Sequence, residues 1–222
     1  MKPLLLINPN TNAATTEEMV AIARNTAPAG QAVEGATVRR GAPLIYDDAL
    51  LSVGASAVVE LARTLDLARY SGIVVAAFGD PGIDALRRFA PVPVTGIAEA
   101  GIIEAAGAGR RFSIVTTTPD LVEAIEKRVE AYGFSASFTG VRLTQGDVAS
   151  VMSDPVRLEE SLMEACALAI SEDHAEAVII GGGPLAVHAV ALGARFEVPI
   201  IEPVPAAIRL ALARTAMADA TA

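Results

Sequence analysis

The chain has 222 residues, 52% of them hydrophobic, and a formal net charge of −9. That length fills one large domain or two small α/β lobes, and the negative field repels both nucleic-acid backbones and anionic membranes. Aromatic residues amount to 4% and tryptophan is absent, which excludes a stacking platform for single-stranded nucleic acid.

The apolar content is carried by Ala, Val, Leu and Ile, a composition that suits helices packed on buried parallel strands. Short apolar runs close in Gly, Pro, Asn or Thr and are followed by helix-period segments, the rhythm of βα units. In chain order the first half predicts strand Leu4–Ile7, helix Thr15–Thr26, strand Ala36–Arg40 and helix Ser56–Ala68. Strand Ile73–Ala77, helix Gly82–Phe89, strand Pro93–Ile97 and helix Glu99–Ala106 complete it. The second half predicts strand Phe112–Thr116, helix Pro119–Ala131, strand Ser137–Val141 and helix Pro155–Ser171. Strand Ala177–Ile180, helix Leu185–Gly193, strand Pro199–Ile201 and helix Ala206–Met217 come next, with Ala218–Ala222 expected to fray. The run Leu4–Ile7 is too short for a signal-peptide core and no run approaches the roughly 18 residues of a spanning helix. A cytoplasmic protein without a membrane partner is expected.

The two halves resemble each other. Ile73-Val74-Val75-Ala76-Ala77-Phe78-Gly79-Asp80-Pro81, then Val92-Pro93-Val94, recurs as Ala177-Val178-Ile179-Ile180-Gly181-Gly182-Gly183-Pro184, then Val198-Pro199-Ile200. Leu5-Leu6-Ile7-Asn8-Pro9-Asn10-Thr11 likewise finds a counterpart in Ser113-Ile114-Val115-Thr116-Thr117-Thr118-Pro119. The expected fold is therefore α/β with two similar lobes, 1–98 plus 205–222 and 99–204, carrying parallel sheets related by pseudo-twofold symmetry. A ligand cleft between them, lined by the carboxyl ends of both sets of strands, is expected. Ordinary βα punctuation is the plainer alternative.

Four strand ends carry the chemistry: Asn8 to Thr11, Ala77 to Asp80, Thr116 to Thr118 and Gly181 to Gly183. Each precedes a helix start, where unpaired N–H groups, Thr hydroxyls and Asn amides make an anion cradle without net positive charge. The substrate-binding set is read as Asn8, Asn10, Tyr46, Ala77, Phe78, Thr116, Thr117, Gly182 and Gly183, holding a small carboxylate or an enolate-like oxyanion. Gly181-Gly182-Gly183-Pro184 lacks the lysine of a P-loop, and no G-x-G-x-x-G occurs, so a nucleotide is not expected. The glycines are equally accounted for by a tight strand-to-helix turn.

Asp80 and Glu202 are the catalytic candidates. Asp80 is either a base or a cap of the following helix. Glu202 follows a buried strand end, where desolvation raises a carboxyl pKa, or is simply exposed at a rim. His188 is read as flanking and His174 as a solvated loop residue. The single cysteine, Cys166, shares a helical face with Leu162 and Ile170 and reads as core. No His/Asp/Glu cluster has metal-ligand spacing, so no metal is expected.

Ile7-Asn8-Pro9-Asn10-Thr11, Phe78-Gly79-Asp80-Pro81-Gly82, Gly96-Ile97-Ala98-Glu99-Ala100 and Phe112-Ser113-Ile114-Val115-Thr116-Thr117 resemble segments of the aspartate/glutamate/hydantoin racemases, hydantoin and allantoin racemases above all. The similarity runs from the first strand through Glu202-Pro203. It implies two lobes, no cofactor, and a thiol pair that removes a proton from one face of the substrate and returns one to the other. The family's two cysteine positions correspond to Ala77 and Gly182, so two-thiol proton transfer cannot run in this chain. The resemblance also suggests that the loop Tyr46-Asp47-Asp48 closes over the cleft; a polar surface turn is the alternative. Isomerase-type, cofactor-independent chemistry on a small carboxylate or cyclic amide, in a homo-oligomer, is the function that the resemblance implies. Ring-opening hydrolysis and catalytically inactive ligand binding are the alternatives.

Overall fold

The computed structural model describes residues 1–182, 185, 189 and 192–221. The chain divides into two compact units, Met1–Ala100 with Val204–Ala222, and Gly101–Pro203.

In the first unit β1 (Leu4–Asn8) leads through α1 (Ala13–Thr26) to β2 (Val33–Thr37), and α2 (Asp48–Arg63) leads to β3 (Gly72–Val75). Helix α3 (Ile83–Arg87), β4 (Val94–Gly96) and α4 (Ile97–Ala105) follow, the last running on into the second unit. All four strands are parallel, in the order β2-β1-β3-β4. Every residue of β1 and β3 is buried, as expected of central parallel strands covered on both faces. Leu5, Ile7, Ile73 and Val75 pack with Val58, Ile83 and Leu86 in one core.

The second unit repeats the plan. It holds β5 (Phe112–Thr116), α5 (Val122–Ala131), β6 (Phe138–Leu143), the short α6 (Val148–Met152), α7 (Pro155–Ser171), β7 (Ala177–Ile180) and β8 (Ile200–Ile201). Its parallel order is β6-β5-β7-β8. The chain then returns to the first unit through α8 (Pro203–Thr221), which opens on two prolines in its first turn, where a missing N–H removes no helical bond. The register sharpens the repeat. Leu4 pairs with Gly72 and Phe112 pairs with Ala177, so Asn8 and Thr116 are equivalent ends of β1 and β5.

Several expectations shift. β2 is Val33–Thr37 rather than Ala36–Arg40, because Leu4 to Asn8 pair with Val33 to Thr37. The polar Glu34 and side-chain-free Gly35 disguise this edge strand, and a Cβ on Gly35 would stand 2.7 Å from Val20 Cγ2 of α1. Helix α2 begins at Asp48, not Ser56, with Asp47 as its cap: Leu50 N donates to Asp47 Oδ1 at 2.7 Å. Of the segment Tyr46–Asp48, Asp48 is thus the first helical residue, Asp47 its cap, and Tyr46 stays in the loop before it. Pro119–Ala131 splits into a 3₁₀ turn, Pro119–Leu121, and α5. Helix α6 has no counterpart in the expected elements, and α8 continues to Thr221 where fraying is expected. The expected helix Leu185–Gly193 falls largely outside the described residues, as do Gly183 and His188. Among the described residues no helix is long and apolar enough to cross a membrane.

Candidate active site

The strand order places a topological switch point in each sheet. The chain leaves β1 for β2 on one side and then crosses from β2 to β3 on the other, as it passes from β5 to β6 and then across to β7; open parallel sheets bind ligands outside the carboxyl ends of such strands. Asn8, Ala77, Thr116 and Gly182 all stand there.

At the β1 end, Asn8 organises its own loop. Its Nδ2 donates to Asn10 Oδ1 at 2.9 Å, Thr16 Oγ1 at 2.9 Å and Asn12 O at 3.1 Å, while its Oδ1 accepts from Asn10 N at 3.0 Å. Asn10 Oδ1 also accepts from Asn12 N at 2.9 Å, and Asn12 caps α1. The Asn8 side chain is therefore spent on the loop, whereas Asn10 Nδ2 donates to no acceptor among the described residues.

At the β3 end the ladder extends one residue, Ala76 N donating to Ile7 O at 2.9 Å. The chain then turns: Asp80 N donates to Ala77 O at 3.0 Å, with Gly79 at φ +107° and Asp80 at φ +50°. Between them the amides of Ala77, Phe78 and Gly79 donate to no acceptor among the described residues, although Phe78 and Gly79 are buried. Buried N–H groups without partners are rare. Asp80 is fully buried and accepts from Ala98 N at 2.9 Å through Oδ1 and from Glu99 N at 2.8 Å through Oδ2. It therefore caps α4. The helix that follows it, α3, has Gly82 as its cap residue with no side-chain bond.

The second unit shows the same device. Gly181 N donates to Val115 O at 2.7 Å, as Ala76 does to Ile7, so Gly182 and Ala77 are equivalent residues, each two past its strand. Thr116 Oγ1 donates to Gly181 O at 2.8 Å and lies 3.2 Å from Thr118 Oγ1. Thr116 is thereby a strut between β5 and β7. Among the described residues the Thr117 hydroxyl meets only the weakly accepting Met152 Sδ at 3.8 Å, and the amides of Thr117 and Thr118 donate to no acceptor there. Gly182 lies outside the left-handed region, and a Cβ there would touch Leu185 Cγ and Cδ1 at 3.1 Å. Glu202 follows β8, whose Ile201 pairs with Ile179; it is half-buried at the carboxyl edge and engaged with a neighbour. Tyr46 is exposed.

Cys166 is fully buried in the α7 face of the second core, where desolvation pushes its thiol up to about 12. His174 is an exposed loop residue. Among the described residues no group of three His, Cys, Asp or Glu could hold a metal ion.

One charged centre escapes the sequence reading. Glu99, 6% exposed, accepts from Arg87 Nη2 at 2.7 Å, Arg214 Nη1 at 2.7 Å and Arg214 Nη2 at 2.9 Å. Burial raises its carboxyl pKa, but the hydrogen bonds from Arg214 and Arg87 outweigh that and hold it below the ordinary carboxylate range. Its only signal in the sequence is a helix-start carboxylate three residues after Gly96.

The family model for Asp/Glu/hydantoin racemase matches residues 4–211. The chain belongs to the Asp/Glu/hydantoin racemase family, a family of isomerases. It is 31% identical over 211 residues to a hydantoin racemase of Paenarthrobacter aurescens, covering 94% of this chain and 89% of that protein. A hydantoin racemase of Rhizobium meliloti is 32% identical over 213 residues, covering 93% and 86%. Among solved structures, the allantoin racemase from Klebsiella pneumoniae superimposes with a TM-score of 0.92 at 32% identity, over 98% of this chain and 89% of that one. In this member of the family the strand ends of both units carry amides that donate to no acceptor among the described residues, and the single thiol sits in a core.

Proposed function

We propose that the protein is a cofactor-independent isomerase-type enzyme acting on a small carboxylate or hydantoin-like cyclic amide, without the two-thiol mechanism. The observation that carries this reading is the pair of strand-end loops whose amides, Ala77 to Gly79 and Thr117 to Thr118, lack protein acceptors among the described residues. Removing the proton next to a carbonyl moves negative charge onto the carbonyl oxygen. Fixed backbone donors of such a strand-end loop stabilise that charge as it develops. The similarity to hydantoin and allantoin racemases supports a cyclic amide as the substrate class.

For the proton itself, Glu202 is the carboxylate we assign. It stands at the carboxyl edge beside β7, whereas both oxygens of Asp80 are occupied by backbone donors. Its carboxylate takes the proton from the carbon, the electron pair passes to the carbonyl oxygen, and a water molecule on the opposite face of the ring returns a proton to the carbon, the proton held by Glu202 passing to the hydroxide left behind.

The test incubates 5-methylhydantoin with the protein in D₂O and follows both the ring-carbon proton and the product mass. Slow deuterium incorporation, abolished by Glu202→Gln, is expected. A product one water heavier identifies a ring-opening hydrolase instead, and ligand-induced thermal stabilisation with neither exchange nor product identifies a binding protein.

A further inference from the structure

We propose that Asp80 is a positioning residue, clamping the Ala77–Gly79 loop onto the first turn of α4 so that the three loop amides point in a fixed direction. The proposal rests on the reading of those amides as oxyanion donors.

The loop is built against its own preferences. Gly79 and Asp80 take successive positive φ values, +107° and +50°, and a non-glycine residue holds a left-handed conformation only where its surroundings over-determine it. Asp80 supplies that determination from four directions. Its N–H donates back to Ala77 O at 3.0 Å and its carbonyl accepts from Ile83 N at 3.3 Å. Its two carboxyl oxygens accept from Ala98 N and Glu99 N, 18 and 19 residues on.

Both of these partners are donors, so the side chain must accept through both oxygens. An ionised carboxylate does this, and its charge is favourable at a helix N-terminus. The isosteric amide would turn an NH₂ group against one of the two N–H groups. The approach is possible only because residue 96 is glycine: a Cβ there would fall on the Asp80 carboxyl group. Helix α4 is itself anchored, since Glu99 in the same turn is held by Arg87 of α3 and Arg214 of α8. The oxyanion loop therefore inherits the rigidity of three helices through one buried carboxylate.

Backbone ¹⁵N relaxation on the ligand-free full chain tests this. In the wild-type protein the amides of Ala77, Phe78 and Gly79 should show rigid-backbone order parameters near 0.85, and in Asp80→Asn they should fall below about 0.6. Residues of β1 and α2 should keep wild-type values, which separates a loosened loop from general destabilisation. Gly96→Ala, which displaces the carboxylate without removing it, should give the same local pattern. An unchanged loop in folded Asp80→Asn overturns the proposal. Should that variant fail to fold, a wild-type loop already mobile, below about 0.6, overturns it equally. Titration with 5-methylhydantoin keeps the two readings apart. If the loop is rigid and loosens in the variants but no loop amide shifts with the hydantoin, the clamp stands and the oxyanion reading falls.

Discussion

Glu99 shows how much of the charge chemistry in this chain is structural. Its carboxylate is almost completely buried while Arg87 and Arg214 remain about a third exposed or less. Removing its charge takes away the buried carboxylate that Arg87 and Arg214 share, and Glu99→Gln should destabilise the protein by about 3 kcal/mol, measured as a lowered urea midpoint at neutral pH. The sign of the pH dependence follows from its lowered pKa. Its contribution is fully present above the unfolded-state value near 4.5 and is lost as the pH falls through the lower folded-state value. The wild-type protein should therefore lose stability with acid below about pH 4.5, and Glu99→Gln should show a shallower acid slope. An equally steep slope in the variant would assign acid lability to other carboxylates.

At the scale of elements, the strand-end loops depend on close backbone approaches. Gly82 takes φ +80°, and a Cβ there would stand 2.7 Å from Ala55 O of α2. Gly82→Ala combines left-handed strain with a clash against backbone, and should lower stability by about 2–4 kcal/mol; a melting temperature equal to wild type would contradict that packing. Elements are legible from sequence in proportion to how their burial shows in side chains. The runs Leu4–Ile7, Phe112–Thr116 and Ala177–Ile180 announce central strands because every position is apolar or small and hydroxylated. β2 reads three residues too late because an edge strand of Val, Glu, Gly, Ala and Thr has no such run, its tight contact with α1 depending on an absent side chain. The start of α2 is hidden by Gly54, which faces Pro9 and Ile45 inside the helix. Asp80 is legible as a capping carboxylate but not as a cap of α4, since the groups it accepts from are backbone amides whose identity no side chain signals. Glu99 is invisible as a charge centre because its partners lie 12 residues before it and 115 after it.

At the scale of the whole molecule, the shared topology of the two sheets makes Ala77 and Gly182 equivalent positions, and the proposal tested at this scale is that these are the positions at which the family resemblance implies thiols. Gly182 has no left-handed strain, and its obstacle is the side chain of Leu185, which needs to yield by a few tenths of an ångström. Ala77→Cys with Gly182→Cys should therefore fold and should exchange and racemise 5-methylhydantoin about 10²-fold or more faster than either single variant. Two-base inversion needs both groups, and paired catalytic groups act non-additively. A folded double variant no faster than the singles, measured by polarimetry and deuterium uptake, would show that the divergence lies beyond the two thiols.

The first unit is also discontinuous along the chain, being closed by α8 after the whole of Gly101–Pro203 has intervened. This sets an order of events during synthesis. The second unit is one contiguous stretch, while the first needs residues made on both sides of it. Until α8 is made Glu99 lacks Arg214 and has only Arg87 of its two arginines. The clamp proposed for the Ala77–Gly79 loop is thus complete only after Arg214 has been made and has reached Glu99.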